Sequence, residues 1–246
     1  QDIRTKITSK TKAIVVISPN NPTGAVYPKE ILQQIADLAA EKNLIIFSDE
    51  IYDKILFEGH IHTPIATLNQ DVFYMTFGGL SKNYRATGFR SGWVILSGAK
   101  HKASSYIEGL ILLASMRLCA NVPAQFAIQT ALGGYQSIND LVAPKGRIYR
   151  QGMLSYERIN SIPGMSCMKP KGALYLFPKL DLTRYTFKDD NEFVYKLLAE
   201  QKVLLVPGTG FNHTDASHFR IVFLADTDIL NTAMDRIESL LQDHLK

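Results

Sequence analysis

The chain is 246 residues long, 46% hydrophobic and 20% charged, with a formal net charge of +4. That composition excludes a disordered or fibrous protein, and the length allows one large domain or two modest ones with real cores. Basic residues are scattered, apart from Lys145, Arg147 and Arg150 on what reads as a solvated helix face, so the sequence shows no electrostatic footprint for nucleic acid.

The apolar run at residues 109–114 is far shorter than the roughly 18 residues of a membrane span. The opening residues 1–6 lack the apolar core of a signal peptide. Cys119 and Cys167 are too few for a disulfide framework and read as reduced, buried thiols of a cytoplasmic protein.

Residues 13–18 are a β-branched run closed by Pro19 and an Asn-Asn-Pro turn, predicting a buried parallel strand. Pro28 suits the first turn of a helix, and Ile31, Leu32, Ile35, Leu38 and Ala39 then recur at helical spacing to about Lys42. Residues 44–48 predict a second strand delivering Asp49 at its carboxyl end. Residues 72–77 predict a third, delivering the Gly-Gly-Leu-Ser-Lys loop at 78–82, and residues 93–96 a fourth. Strands alternating with helices, with polar chemistry at the strand ends, predict an open, mainly parallel α/β sheet.

Residues 99–134 predict helix broken near 121–123. Residues 140–162 form a charged amphipathic stretch that would join two domains, with Pro144 at its start or at a kink. Beyond Pro163, residues 173–177, 203–206 and 219–223 predict strands and 191–202 a helix. The last helix runs from about Thr227 to Leu245, with Ile229, Leu230, Ala233, Ile237, Leu240 and Leu241 on one face. The expected division is a large domain over residues 1–150 and a smaller α+β domain over 151–246.

Several polar residues sit where these runs end. Lys82 follows an apolar strand and two glycines that permit close backbone approach; its amine suits an aldehyde, although most lysines are surface charges. Asp49 follows a strand so apolar that its carboxylate should pair with a cation such as a protonated ring nitrogen, the alternative being a helix cap. Tyr52 and Asn21 can hydrogen-bond a phenolic ring oxygen; alternatively Tyr52 is core and Asn21 part of an Asn-Pro turn. Arg90 offers a fork for phosphate, with Ser81 as a second donor, against a surface ion pair. Arg220 lies within a strand pattern, where it suits either a substrate carboxylate or a buried structural salt bridge. An amine, a ring-nitrogen acid, ring-oxygen donors and a phosphate fork are what pyridoxal 5′-phosphate requires of a protein. His60 and His62 make a poor metal site without a third ligand, and no metal is expected.

In this order, Asn-Asn-Pro-Thr-Gly at 20–24, Ser-Asp-Glu-Ile-Tyr at 48–52, Ser81-Lys82, Arg90 and Arg220 resemble the class I/II, fold-type I pyridoxal-phosphate aminotransferases. The resemblance covers essentially the whole chain. It implies that Lys82 is the Schiff-base lysine, Asp49 the ring-nitrogen partner and Arg90 a phosphate ligand. Asn21 and Tyr52 would hold the ring oxygen, Arg220 would grip the substrate α-carboxylate, and Asn21 would also bind substrate. Residues 113–125 and 171–178 are similar to the bacterial alanine (glutamate–pyruvate) aminotransferases. The implied reaction is transamination between an L-amino acid and a 2-oxo acid, with L-alanine and 2-oxoglutarate foremost, in an enzyme that is a cytoplasmic homodimer when full length. Arg117 is a candidate for a second substrate carboxylate, against a surface helix position.

Gly79 stands where many such proteins carry a serine. The chain looks like roughly the C-terminal three fifths of the family. The resemblance implies that the N-terminal arm, the first strands of the large domain, the phosphate-cradling helix N-terminus, the ring-stacking residue and a tyrosine contributed across the dimer lie outside it. The alternatives are a carbon–sulfur β-lyase with the same cofactor set, and a non-catalytic aminotransferase-like module or fragment.

Overall fold

Apolar runs rich in β-branched and aromatic residues become the strands of a four-stranded sheet. The structure is a computed structural model that describes residues 1–246. It divides into a first unit, residues 1–19, 26–54 and 61–138, and a second unit, residues 20–25, 55–60 and 139–246.

The first unit contains α1 (Asp2–Lys6), β1 (Ala13–Ile17), α2 (Lys29–Glu41), β2 (Ile45–Asp49), β3 (Phe73–Gly79), β4 (Gly92–Gly98), α3 (Ser104–Arg117) and α4 (Val122–Gly133). Its strands lie in the order β1-β2-β3-β4; the first three are parallel and β4 returns antiparallel. The pleat sends Val16, Ile46 and Tyr74 into one core with Leu32, Ile35, Ala36 and Ala39 of α2. Phe73 and Met75 pack with Ala103, Ile107 and Leu110 in another. Burial pushes the Tyr74 phenol up to about 12, and its hydroxyl donates to the Asn69 carbonyl at 2.9 Å. The register Ile17–Asp49–Phe77 aligns the carboxyl ends of the three parallel strands, where ligands of open α/β sheets bind.

The second unit follows with α5 (Ile138–Val142) leading into α6 (Arg147–Ser161), β5 (Met165–Ser166), β6 (Tyr175–Leu176), β7 (Lys179–Leu180), α7 (Asp190–Gln201), β8 (Val206–Pro207), β9 (Phe219–Val222) and α8 (Thr227–Asp243). β6, β9 and β8 form an antiparallel sheet, and β5 pairs with β7. α8 packs on α6 and α7 through Leu230, Met234, Ile237, Leu240 and Leu241.

Several expectations are corrected. The strand expected over 173–177 is only β6: Ala173 adopts a left-handed φ of 57° and Pro178 lacks the N–H needed to continue. The strand expected over 203–206 shrinks to β8, because the Val203 N–H closes the end of α7 on the Leu197 carbonyl at 3.4 Å. Ile31 and Ile229 are exposed, their places in the apolar faces taken by Ala36 and Met234. Cys119 is exposed rather than buried; Cys167 is half-buried, and burial pushes its thiol up to about 11. Residues 139–150 fall in the second unit, and a division at 150 would cut through α6. No helix is long and apolar enough to cross a membrane.

Candidate active site

In the first unit, β2 ends in Asp49, whose Oδ1 accepts the Ile51 N–H at 3.1 Å. The Asp53 N–H donates to the Glu50 carbonyl at 3.0 Å, closing a turn that contains Tyr52. The Asp49 carboxylate caps its own turn. Tyr52 is buried, and the Lys82 Nζ stands 5.9 Å from the centre of its ring.

Lys82 is half-buried in the loop joining β3 to β4. That loop folds on itself, with the Leu80 N–H donating to the Ser91 carbonyl at 3.0 Å, the Ala86 N–H to Leu80 at 3.0 Å and the Arg85 N–H to Lys82 at 3.1 Å. Gly78 pairs with Trp93 across β3 and β4, and a Cβ on Gly78 would sit 2.5 Å from the indole Nε1. Arg90, exposed and left-handed at φ 51°, donates from Nη1 to the Thr87 carbonyl at 2.9 Å and to Ser81 Oγ at 3.4 Å. It has no carboxylate partner, so the surface ion-pair alternative does not hold. An open cavity of about 460 Å³ is lined by Val15, Phe47, Asp49, Ile51, Phe77 and Gly78, within the size range of ligand pockets.

In the second unit, the turn at residues 20–25 is tied internally by Asn20, whose Oδ1 accepts from the Thr23 hydroxyl at 2.8 Å and from the Thr23 N–H at 3.2 Å. Gly24, at φ 68°, accepts the Lys171 and Gly172 N–H groups at 2.9 and 3.0 Å, and a Cβ there would meet the Tyr175 carbonyl at 2.8 Å. This close approach holds Asn21 beside β9. There the Arg220 Nη1 donates to Asn21 Oδ1 at 2.9 Å. The Arg220 guanidinium lies 4.7 Å from the Tyr175 ring centre and 4.9 Å from that of Phe211. It has no acidic partner, and its Nε is buried without a hydrogen bond, so the structural salt-bridge alternative also fails.

Of the expected residues, the structure brings Lys82 to Tyr52, Ser81 to Arg90, and Asn21 to Arg220. Arg117 is exposed at the end of α3 and donates to the Cys119 carbonyl at 2.9 Å. Sequence reasoning missed Tyr175 and Phe211 as the rings against Arg220. Tyr175 read only as a strand residue, and Phe211 lies in a short Gly-Thr-Gly-Phe turn with no periodic signal.

Residues 1–237 match the family described as aminotransferase class I and II. The chain is 55% identical over 243 residues to the glutamate-pyruvate aminotransferase AlaA of Haemophilus influenzae, covering 99% of this chain and 60% of that protein. It is 52% identical over 240 residues to an alanine aminotransferase of Mycobacterium tuberculosis, covering 98% and 56%. A crystal structure of an aminotransferase from Escherichia coli superposes with a TM-score of 0.97 at 55% identity, covering all of this chain and 61% of that one. The chain thus spans about three fifths of the length of the curated relatives it matches. The order of its strands, the α/β first unit, the smaller second unit and these matches agree: the chain belongs to the class I and II aminotransferases, of fold type I.

Proposed function

We propose that this chain carries the lysine-bearing part of a pyridoxal-phosphate-dependent aminotransferase exchanging an amino group between L-alanine and 2-oxoglutarate. The observation that carries it is Arg220: a guanidinium with a buried, unpartnered Nε and no acid of its own suits the α-carboxylate of an amino or 2-oxo acid. The names printed for the relatives at 55% and 52% identity support alanine and glutamate as the substrate pair.

The donor set of the first unit fits the cofactor. Asp49 would face its ring nitrogen, Tyr52 its ring oxygen, and Ser81 and Arg90 its phosphate. When bound, pyridoxal 5′-phosphate supplies an aldehyde for an amine and a protonated ring that draws electrons from the substrate α-carbon. Lys82 would hold the aldehyde at rest and afterwards move a proton at the substrate α-carbon, acting as base and then as acid. Asp49 would pair with the protonated ring nitrogen. The Arg220 fork would hold the substrate carboxylate. A cytoplasmic location and a homodimer in the full-length form rest on the family resemblance alone.

The test is incubation with pyridoxal phosphate, borohydride reduction and mass mapping of the modified peptides. A pyridoxyl adduct confined to Lys82 is expected, together with alanine–oxoglutarate exchange that Lys82→Ala lowers by roughly 10²–10⁴ or more. Adducts spread over surface lysines, or exchange that survives in Lys82→Ala, would sink the assignment.

A further inference from the structure

Asn83 follows Lys82 directly and is 6% exposed. Its side-chain amide donates to Asp53 Oδ1 in a short hydrogen bond and accepts the Lys54 backbone N–H at 3.3 Å. Asp53 and Lys54 follow Tyr52 directly. One side chain therefore joins the loop carrying the amine to the turn carrying the phenol, through a donor and an acceptor that an amide supplies together. Asp53 is itself half-buried; burial pushes its carboxyl up from the usual range, while His62 and the Asn83 N–H act in the opposite direction. Alanine at 83 would leave a half-buried carboxyl and a backbone N–H without that partner. Aspartate there would set two carboxyls against each other.

We propose that Asn83 is a positioning residue for the amine: through Asp53 and the Lys54 N–H it holds Lys82 over Tyr52. The inference rests on the reading of Lys82 as the reacting amine. No hydrogen bond of Asn83 reaches the Lys82 amine or the Tyr52 hydroxyl, so its influence on them passes through the backbone of the two segments.

Competitive acetylation of the purified chain with acetic anhydride, followed by peptide mass mapping, tests it without the cofactor. The rate at Lys82 is expressed as a ratio to that at exposed Lys10. Asn83→Ala is expected to move this ratio about threefold or more toward one, because a released loop samples solvent freely. The exchanged pair Asp53→Asn/Asn83→Asp places the donor on residue 53 and the acceptor on 83, and should restore the wild-type ratio to within about twofold. Leu32→Ala, in the core under α2, should lower the thermal midpoint yet leave the ratio unmoved. An unmoved ratio in Asn83→Ala overturns the proposal, as does an equal shift in Leu32→Ala at a matched loss of midpoint. If Asn83→Ala fails to fold, Asn83→Asp against the exchanged pair carries the comparison, and absence of recovery in the pair overturns it. The borohydride experiment on the wild type separates the two readings: no adduct at Lys82 removes the cofactor assignment, while the acetylation ratio still decides the role of Asn83.

Discussion

A partly buried guanidinium without a counter-ion is costly unless something compensates it. Arg220 meets that cost with the rings of Tyr175 and Phe211 and one hydrogen bond to Asn21, and it keeps its Nε uncommitted. Lysine in its place would retain the charge but lose the planar fork. Under the proposed function, Arg220→Lys is expected to weaken binding of 2-oxoglutarate about tenfold, read by titration calorimetry, in line with loss of one charge-assisted hydrogen bond. Unchanged affinity would return Arg220 to a structural role. At this scale the candidates themselves were legible, because Lys82, Asp49 and Arg220 are polar residues at the ends or in the middle of apolar runs. The aromatic company of Arg220 was not legible, since contacts between turns and strands leave no periodic trace. Nor was the self-capping of Asp49, whose sequence setting fits a cation and a backbone N–H equally well.

Element boundaries were read well where periodicity is long and poorly where backbone conformation decides. α2, α7 and α8 lie close to their expected limits because several turns of apolar spacing repeat. The short strands of the second unit were overestimated, since Ala173 and the Val203 N–H spend extended-looking residues on a left-handed kink and a helix end. β3 and β4 offer a sharper test. Gly78 faces Trp93, the single tryptophan of the chain, with no room for a Cβ beside the indole. Gly78→Ala is expected to displace the indole, shift its fluorescence, and cost about 1–3 kcal/mol as overpacking. A variant with the wild-type emission spectrum and thermal midpoint would show that the indole does not press on Gly78.

Across the whole molecule, apolar surface is left bare. Val15, Phe77, Val94 and Ile95 are exposed on the sheet of the first unit. α3 has no buried residue and presents Ile111, Leu112, Leu113 and Met116, while α4 presents Phe126 and Leu132. β1 pairs on one side only, leaving an open edge. Patches of this kind associate. Sedimentation velocity over about 1–100 μM should show mass rising with concentration, reduced in a Leu113→Lys/Met116→Lys variant. A concentration-independent monomer would contradict this. The open sheet was legible from the apolar runs themselves; which faces stay bare was not, because a run of Ile, Leu and Val reads the same whether covered or open.

The two units are also woven through each other along the chain. Residues 20–25 and 55–60 belong to the second unit, although the sequence around them belongs to the first. Asn21 reaches Arg220 from the first of these inserts, and residues 171–172 are hydrogen-bonded to the same insert through Gly24. No single cleavage point therefore releases either unit whole. A gene dissected after residue 138 would yield a piece still carrying two short inserts whose partners had been removed. The smallest portion of this chain that can be expressed with every unit intact is the chain itself.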